Sequence, residues 1–287
     1  MPFTLSHAAA VLPAVRRDGS GRGRLVPAVL VTGSFAPDVP YYAAAVLPGG
    51  MESGGFTHSL PGVVTVDVLI AWALTGLWLL VREPSLALLP AGRQGGPAAL
   101  LRLGAPRARV DAATAGRWYG SAVLGALSHV VWDAFTHHDR WGTRLVPALG
   151  RDRPAGVPLF TWLQYGSSVA GAVTIAVCVL RALRRAPGGG APAGVPALSV
   201  RDRWWALAVI GGCALAGAVQ RAADRWARPG AADRIWELVP TLCFGVGAGT
   251  VPGVLLYAVG IRIRRPAAAP GARGGAAGAD RERPVAR

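Results

Sequence analysis

Lysine is absent from this chain of 287 residues, so all 30 basic residues are arginine. Abundant glycine and proline, 39 and 23 residues, accompany that bias. Together they read as GC-rich coding, not as arginine selected for its bidentate fork. Charged residues are also scarce, at 16% of the chain, where a soluble globular domain carries about 25%. Cysteine is limited to Cys178, Cys213 and Cys243, with no CxxC pair, which argues against a zinc ribbon or a disulfide framework. Each sits in an apolar block and reads as a small core residue. Acidic residues number only 15, leaving a formal charge of +15. The arginines are scattered among loops and form no nucleic-acid motif, so no nucleic-acid partner is expected. Anionic lipid headgroups are the more natural counter-charge.

What the chain does have is apolar length. Hydrophobic residues make up 52% of it, concentrated in windows 59–81, 118–132, 154–180, 204–220 and 238–261. A spanning helix needs about 17–25 apolar residues. Three windows meet this, 204–220 is borderline, and 118–132 is short and polar enough to sit inside a bundle. The expected fold is all-α: a polytopic transmembrane helical bundle of about five membrane helices, with short N-terminal helices. Residues 1–180 form a motif-bearing membrane domain and 181–203 a linker. Residues 204–262 are C-terminal membrane helices read as scaffold, and 263–287 a disordered basic tail. Gly245 and Gly249 form a GxxxG spacing that permits close helix packing. The N-terminal residues MPFTLSHAAAVLPAVRR carry no early arginine and a short, Pro-broken apolar stretch, so no cleavable leader is expected. With the N-terminus outside, inner segments 82–117, 181–203 and 262–287 hold 18 arginines and the outer segments 12.

The chemistry lies in the first half. All five histidines precede residue 139. His129, Asp133 and His137 are spaced i, i+4, i+8, stacking along one helical face with about 6 Å of rise between neighbours. Imidazole and carboxylate at i, i+4 can close on one divalent metal, as in HExxH helices. Ionisable groups on an apolar helix are costly unless satisfied. Asp38 lies between Pro37 and Pro40, in a loop stiffened enough to hold a carboxylate in place. His58 stands at the mouth of the first window. Asp67, deeper in it, could be a ligand, a partner for a histidine or a proton relay. In the five-crossing arrangement His7, Asp38, His58, His129, Asp133 and His137 fall at one membrane face. His138 is off the stacked face and reads as solvated loop or as a donor beside the site. Arg140, Arg144, Arg151 and Arg153 read either as a solvated basic loop or as a clamp for a phosphate-bearing substrate.

The stretches MPFTLSHAAAVLP, GSFAPDVPYY, THSLPG, GALSHVVWDAFTHHDRWG and PLFTWLQYGSS resemble the bacterial integral-membrane family catalogued as domain of unknown function 4184, over about the first 170 residues. Its motifs are similar to those of membrane-bound metal-dependent hydrolases, a group distantly like the all-helical zinc-dependent phospholipase C family. The resemblance implies that His7, Asp38, His58, His129 and Asp133 are metal ligands and that the chain sits in the bacterial cytoplasmic membrane. It departs from the soluble zinc enzymes in having fewer histidines, enough for one or two metals. The expected function is a metal-dependent hydrolase of an ester or phosphoester, with zinc, or alternatively manganese, as cofactor. Its partners would be membrane lipid and a small-molecule or lipid substrate, and His137 or Asp67 would shuttle the proton. The alternatives are a non-enzymatic membrane protein with a structural His/Asp cluster, and a small transporter.

Overall fold

The structure, a computed structural model, describes residues 3–47, 49–102, 111–186, 194–227 and 238–264. The expected tail beyond residue 264 and linker residues 187–193 lie outside that set. Elements of the described residues are helical, apart from one isolated bridge between Val15 and Gly21.

Among the described residues three helices are long and apolar enough to cross a membrane: α11 (Leu159–Arg185), α12 (Val200–Trp226) and α13 (Leu238–Arg264). Each has 27 residues, or about 40 Å of helix at the standard rise, against a hydrocarbon core of about 30 Å. Their apolar side chains face outward. Trp204, Leu215 and Leu256 are 68%, 65% and 62% exposed, a waste of hydrophobic area in water and the normal arrangement in lipid. Both flanks of the expected linker are helical, because α11 runs on to Arg185 and a Ser199–Asp202 capping box starts α12.

Helices α12 and α13 pack antiparallel at backbone distance. A Cβ on Gly249 would lie 2.0 Å from the Cys213 carbonyl oxygen, and one on Gly217 would lie 2.3 Å from that of Gly245. Only glycine allows such an approach, so the GxxxG spacing is used as expected.

The N-terminal part is built from shorter pieces. A 3-10 turn (Thr4–His7) leads into α1 (Ala8–Val11). Helix α2 (Pro27–Gly33) is followed by a second 3-10 turn (Ala36–Asp38), α3 (Val39–Ala43), α4 (Gly50–Thr57) and α5 (Leu60–Val64). The window expected as the first crossing is split at Thr65 (φ −123°, ψ −88°), and the continuous helix is α6 (Val66–Ala87). After α7 (Gly95–Arg102), α8 (Ala112–Thr136) begins on an Asp111 cap that accepts the Thr114 N–H at 2.7 Å. It is longer than its apolar window. Two short helices, α9 (Trp141–Leu145) and α10 (Ala148–Arg151), lead to α11. Val29, Ala36, Val68, Ala71 and Ala122 form the core joining α2, α6 and α8.

The glycine contact between α12 and α13 is directly testable. Gly249→Ala should lower stability by about 1–3 kcal/mol through overpacking. Gly260→Ala, whose Cβ meets nothing within 4 Å, should be neutral or slightly stabilising. Thermal unfolding in detergent micelles compares them, and equal shifts would contradict the close-approach account.

Candidate metal centre

Helix α8 supplies two candidate groups one turn apart, His129 and Asp133, both buried. Helix α2 crosses α8 closely enough that a Cβ on Gly125 would lie 2.3 Å from the Leu30 carbonyl oxygen. That approach brings the Ser34 carbonyl, at the end of α2, to 2.7 Å from His129 Nδ1. The chain then turns through Ala36–Asp38 and delivers the Asp38 carboxylate into the same space, fully buried. Helix α4 is tied to this turn by Thr57, whose hydroxyl donates to the Pro37 carbonyl at 2.8 Å. His58 caps its end, with Nδ1 at 2.8 Å from the Gly54 carbonyl.

The two carbonyls set the chemistry of the two imidazoles. A carbonyl can only accept, so each Nδ1 must carry a proton, and in the neutral ring Nε2 is left as a bare acceptor. Both Nε2 atoms point at carboxylates. His129 Nε2 lies 3.4 Å from Asp38 Oδ1 and 3.4 Å from Asp133 Oδ2. His58 Nε2 lies 3.6 Å from each of the same two oxygens. These separations exceed the 2.7–2.9 Å of a charge-assisted N–H···O bond (about, for typical pairs). They leave room for a small cation shared by the four donors. One donor atom from each of Asp38, His58, His129 and Asp133 lies within 4.8 Å of all the others. Asp38 Oδ1 and His129 Nε2 are buried without a hydrogen-bond partner. Acceptors facing acceptors in a buried space favour a cation between them, and this group could hold a metal ion.

The supporting contacts fit that role. Thr4 donates to Asp38 Oδ2 at 2.5 Å, and the Tyr42 hydroxyl donates to Thr4 at 2.9 Å. Burial would raise the Asp38 pKa, but the His129 and His58 imidazoles hold it well below the usual carboxylate range. Burial alone would lower the His58 pKa. The Asp133 and Asp38 carboxylates beside it outweigh this and raise it above the ordinary value.

The remaining expected residues take different positions. His7 is brought to the site but not into the group of four. It is fully buried, stacks on His129 with ring centroids 3.6 Å apart, and places Nε2 3.4 Å from Asp133 Oδ1. Burial, with His129 beside it, pushes its pKa down to about 4, so it is neutral. Ser6 seats this turn by donating to the Ser168 carbonyl of α11 at 2.8 Å. His137 is not a third helical rung, because α8 ends at Thr136 and His137 is extended (φ −132°, ψ 150°). It still comes within 3.6 Å of Asp133 Oδ1, with Gln164 Nε2 2.9 Å from its Nε2. Asp67 is buried in the first turn of α6, and neither of its oxygens has a hydrogen-bond partner. His138 is exposed and pairs with Asp139 at 2.9 Å, as a solvated loop residue.

A cavity of about 410 Å³ opens beside the group of four. His58, Asp133 and His137 line one side, and Arg221 and Arg225 of α12 with Thr241 and Phe244 of α13 line the other. Sequence reading took those helices as scaffold and did not single out these four residues. The one available signal was the i, i+4 spacing of Arg221 and Arg225 at the end of an apolar window. Thr4 and the Ser34 and Gly54 carbonyls left no such trace.

The family described as Domain of unknown function (DUF4184) matches residues 1–259, well beyond the 170 residues over which the resemblance was legible. No curated protein and no solved structure matches the chain.

Two outcomes follow for metal binding. Thr4→Val should weaken zinc affinity by about 10–100-fold, as loss of an orienting partner does, without disturbing helix content. Affinity should also fall on acidification. Because the His58 pKa is raised, its proton competes at a higher pH than on a free imidazole, costing about tenfold per pH unit for each proton displaced. Competition against a chelator of known affinity measures both, and pH-independent binding would contradict the assignment.

Proposed function

The chain belongs to the DUF4184 family, and we propose that it is a membrane-embedded, metal-dependent hydrolase acting on an ester or phosphoester of a lipid-like molecule. One observation carries the reading: the four-donor group opens onto a cavity through two of its own members, His58 and Asp133. A structural metal site is closed by its ligands, whereas a catalytic one keeps a position for water, which here would require the ion to take a fifth ligand on the open side or one of the four donors to stand aside. Two imidazoles and two carboxylates suit zinc, with manganese as the runner-up. Bound there, the ion would lower the pKa of a water molecule and polarise the ester oxygen.

The protein's own residues do the rest. Asp38 and Asp133 supply two negative charges, and the Ser34 and Gly54 carbonyls fix the imidazoles with Nε2 inward. His7 belongs to the holding set through the second oxygen of Asp133. His137 lines the cavity, and we assign it the proton transfer from the attacking water to the departing alcohol. Asp67, the other candidate, lies outside the cavity lining with neither oxygen hydrogen-bonded, so the transfer is not assigned to it.

We further propose five crossings in the bacterial cytoplasmic membrane, with α6 and α8 joining α11, α12 and α13. At 22 and 25 residues, they give about 33 and 38 Å of helix. With the N-terminus outside, the C-terminal ends of α8 and α12 and the N-terminal end of α13 lie on one face. Every residue lining the cavity belongs to that face, which supports the arrangement. The full burial of Asp38 and His129 favours the other reading, a cluster that only ties the N-terminal helices together. The open His58–Asp133 side supports the hydrolase reading.

The test is purification in detergent, metal analysis, and turnover of p-nitrophenyl phosphate and p-nitrophenyl esters. His129→Ala should lose both metal and turnover. His137→Ala should keep the metal and lose turnover by about 10²–10⁴-fold. Unchanged metal content in His129→Ala would defeat the proposal.

A further inference from the structure

Besides its polar groups, the cavity beside the metal group has an apolar wall made by Tyr41, Met51, Pro240 and Phe244. The aromatic part of this wall is fixed. The Phe244 ring meets those of Tyr41 and Tyr42 edge-on, with centroids 5.9 and 4.8 Å apart. Pro240 and Phe244 stand four residues apart near the start of α13 and so share one of its faces. Val239, Leu242 and Val246, on another face of the same turns, are exposed, as suits a helix side that meets lipid. The first turns of α13 therefore stand between the cavity and the bilayer.

Met51 carries the wall outward. It lies seven residues before His58, about 10 Å along a helix, and both line the cavity. Met51 is 54% exposed, and Val46 and Leu47 just before it are 81% and 58% exposed. The Ala45 carbonyl accepts from Gln220 Nε2 of α12 at 3.4 Å, so these side chains stand beside a helix long and apolar enough to cross a membrane. Such a run of exposed apolar side chains is costly in water and ordinary against lipid. The unbranched thioether of methionine adapts to a flexible partner. An apolar path thus leads from the metal group, past Phe244 and Met51, to a surface made for the bilayer. A small water-soluble ester would leave this wall wetted, whereas an alkyl chain would cover it.

We infer that this wall is an acyl-chain channel opening sideways to the bilayer between α4 and the paired helices α12 and α13. The substrate is then a long-chain lipid drawn from the membrane. Its ester or phosphoester bond meets the metal group while its chain runs out over Phe244 and Met51. This rests on the hydrolase reading for the bond that is cut, but the channel itself can be tested without turnover.

The experiment places the full chain in phosphatidylcholine nanodiscs containing a phospholipid with a diazirine near the end of one acyl chain. Adducts formed on irradiation are mapped by mass spectrometry. Leu256, on the exposed surface of α13, should be labelled as a lipid-facing reference. Phe244, which lines the cavity, should be labelled as well. Met51→Arg puts a charge in the channel mouth and should cut labelling at Phe244 at least about tenfold, with zinc content and Leu256 labelling unchanged. Met51→Gln should act in the same direction and serves if the arginine variant fails to fold. Leu145→Arg, also exposed but outside the cavity lining, should label as wild type does. A second arm compares p-nitrophenyl carboxylates and alkyl p-nitrophenyl phosphates of increasing chain length. Their kcat/KM should rise about two- to fourfold per added methylene. The inference is overturned if Phe244 is unlabelled where Leu256 is labelled, or if the Met51 variants label Phe244 as wild type does. Rates independent of chain length, the result expected of a soluble ester entering from water, would also overturn it. Absence of turnover on every substrate would defeat the hydrolase reading separately, and the labelling would still decide the channel.

Discussion

Two carboxylates and two imidazole nitrogens converge on one buried volume, and the surrounding structure is arranged to keep them there. Taking even one ionised carboxylate out of water costs several kcal/mol unless a counter-charge accompanies it (about, after relaxation). Here Asp38 and Asp133 are both buried, and their oxygens face nitrogens whose protons lie on the far side of each ring. Only a positive charge at the centre resolves this. Protons can also supply it, and the Asp133 and Asp38 carboxylates raise the His58 pKa against the effect of burial. The 3.4–3.6 Å spacing of the donors suits a divalent ion better than a shared proton.

Placement of the donors follows from close backbone packing. Residues Gly33 and Gly125 let α2 and α8 approach until the Ser34 carbonyl reaches His129. The same approach starts the turn that carries Asp38 inward. A side chain at either glycine would move a carbonyl that sets a histidine tautomer, and so would act on the site without touching it. The lipid-facing helices contribute in a similar indirect way. Glycine contacts hold α12 against α13, and α12 in turn presents Arg221 and Arg225 to the cavity.

Much of this was legible in the sequence. Long charge-free windows announced α11, α12 and α13, because the bilayer demands apolar length. The i, i+4 spacing of His129 and Asp133 survives in the structure because it is a property of one helix. Asp38 and His58 were legible through their settings, a Pro-bounded loop and the mouth of an apolar window. Other features rest on contacts between distant segments, which no local pattern records. Thr4 reaches Asp38 across 34 residues, and Arg221 reaches Tyr41 across 180. Helix ends were also hard to read: the spacing of His137 suggested a third rung, yet α8 stops one residue before it. The break at Thr65 was hidden because the valines on both sides of it continue the apolar window.

X-ray absorption at the zinc edge, on purified protein in detergent, addresses the central claim most directly. The account predicts a first shell of nitrogen and oxygen donors alone, about 2.0–2.1 Å from zinc, with the outer-shell scattering of two imidazoles. That imidazole signal should disappear in the double variant His58→Ala/His129→Ala. A shell containing sulfur, a shell of water alone, or an imidazole signal that survives in the double variant would contradict it.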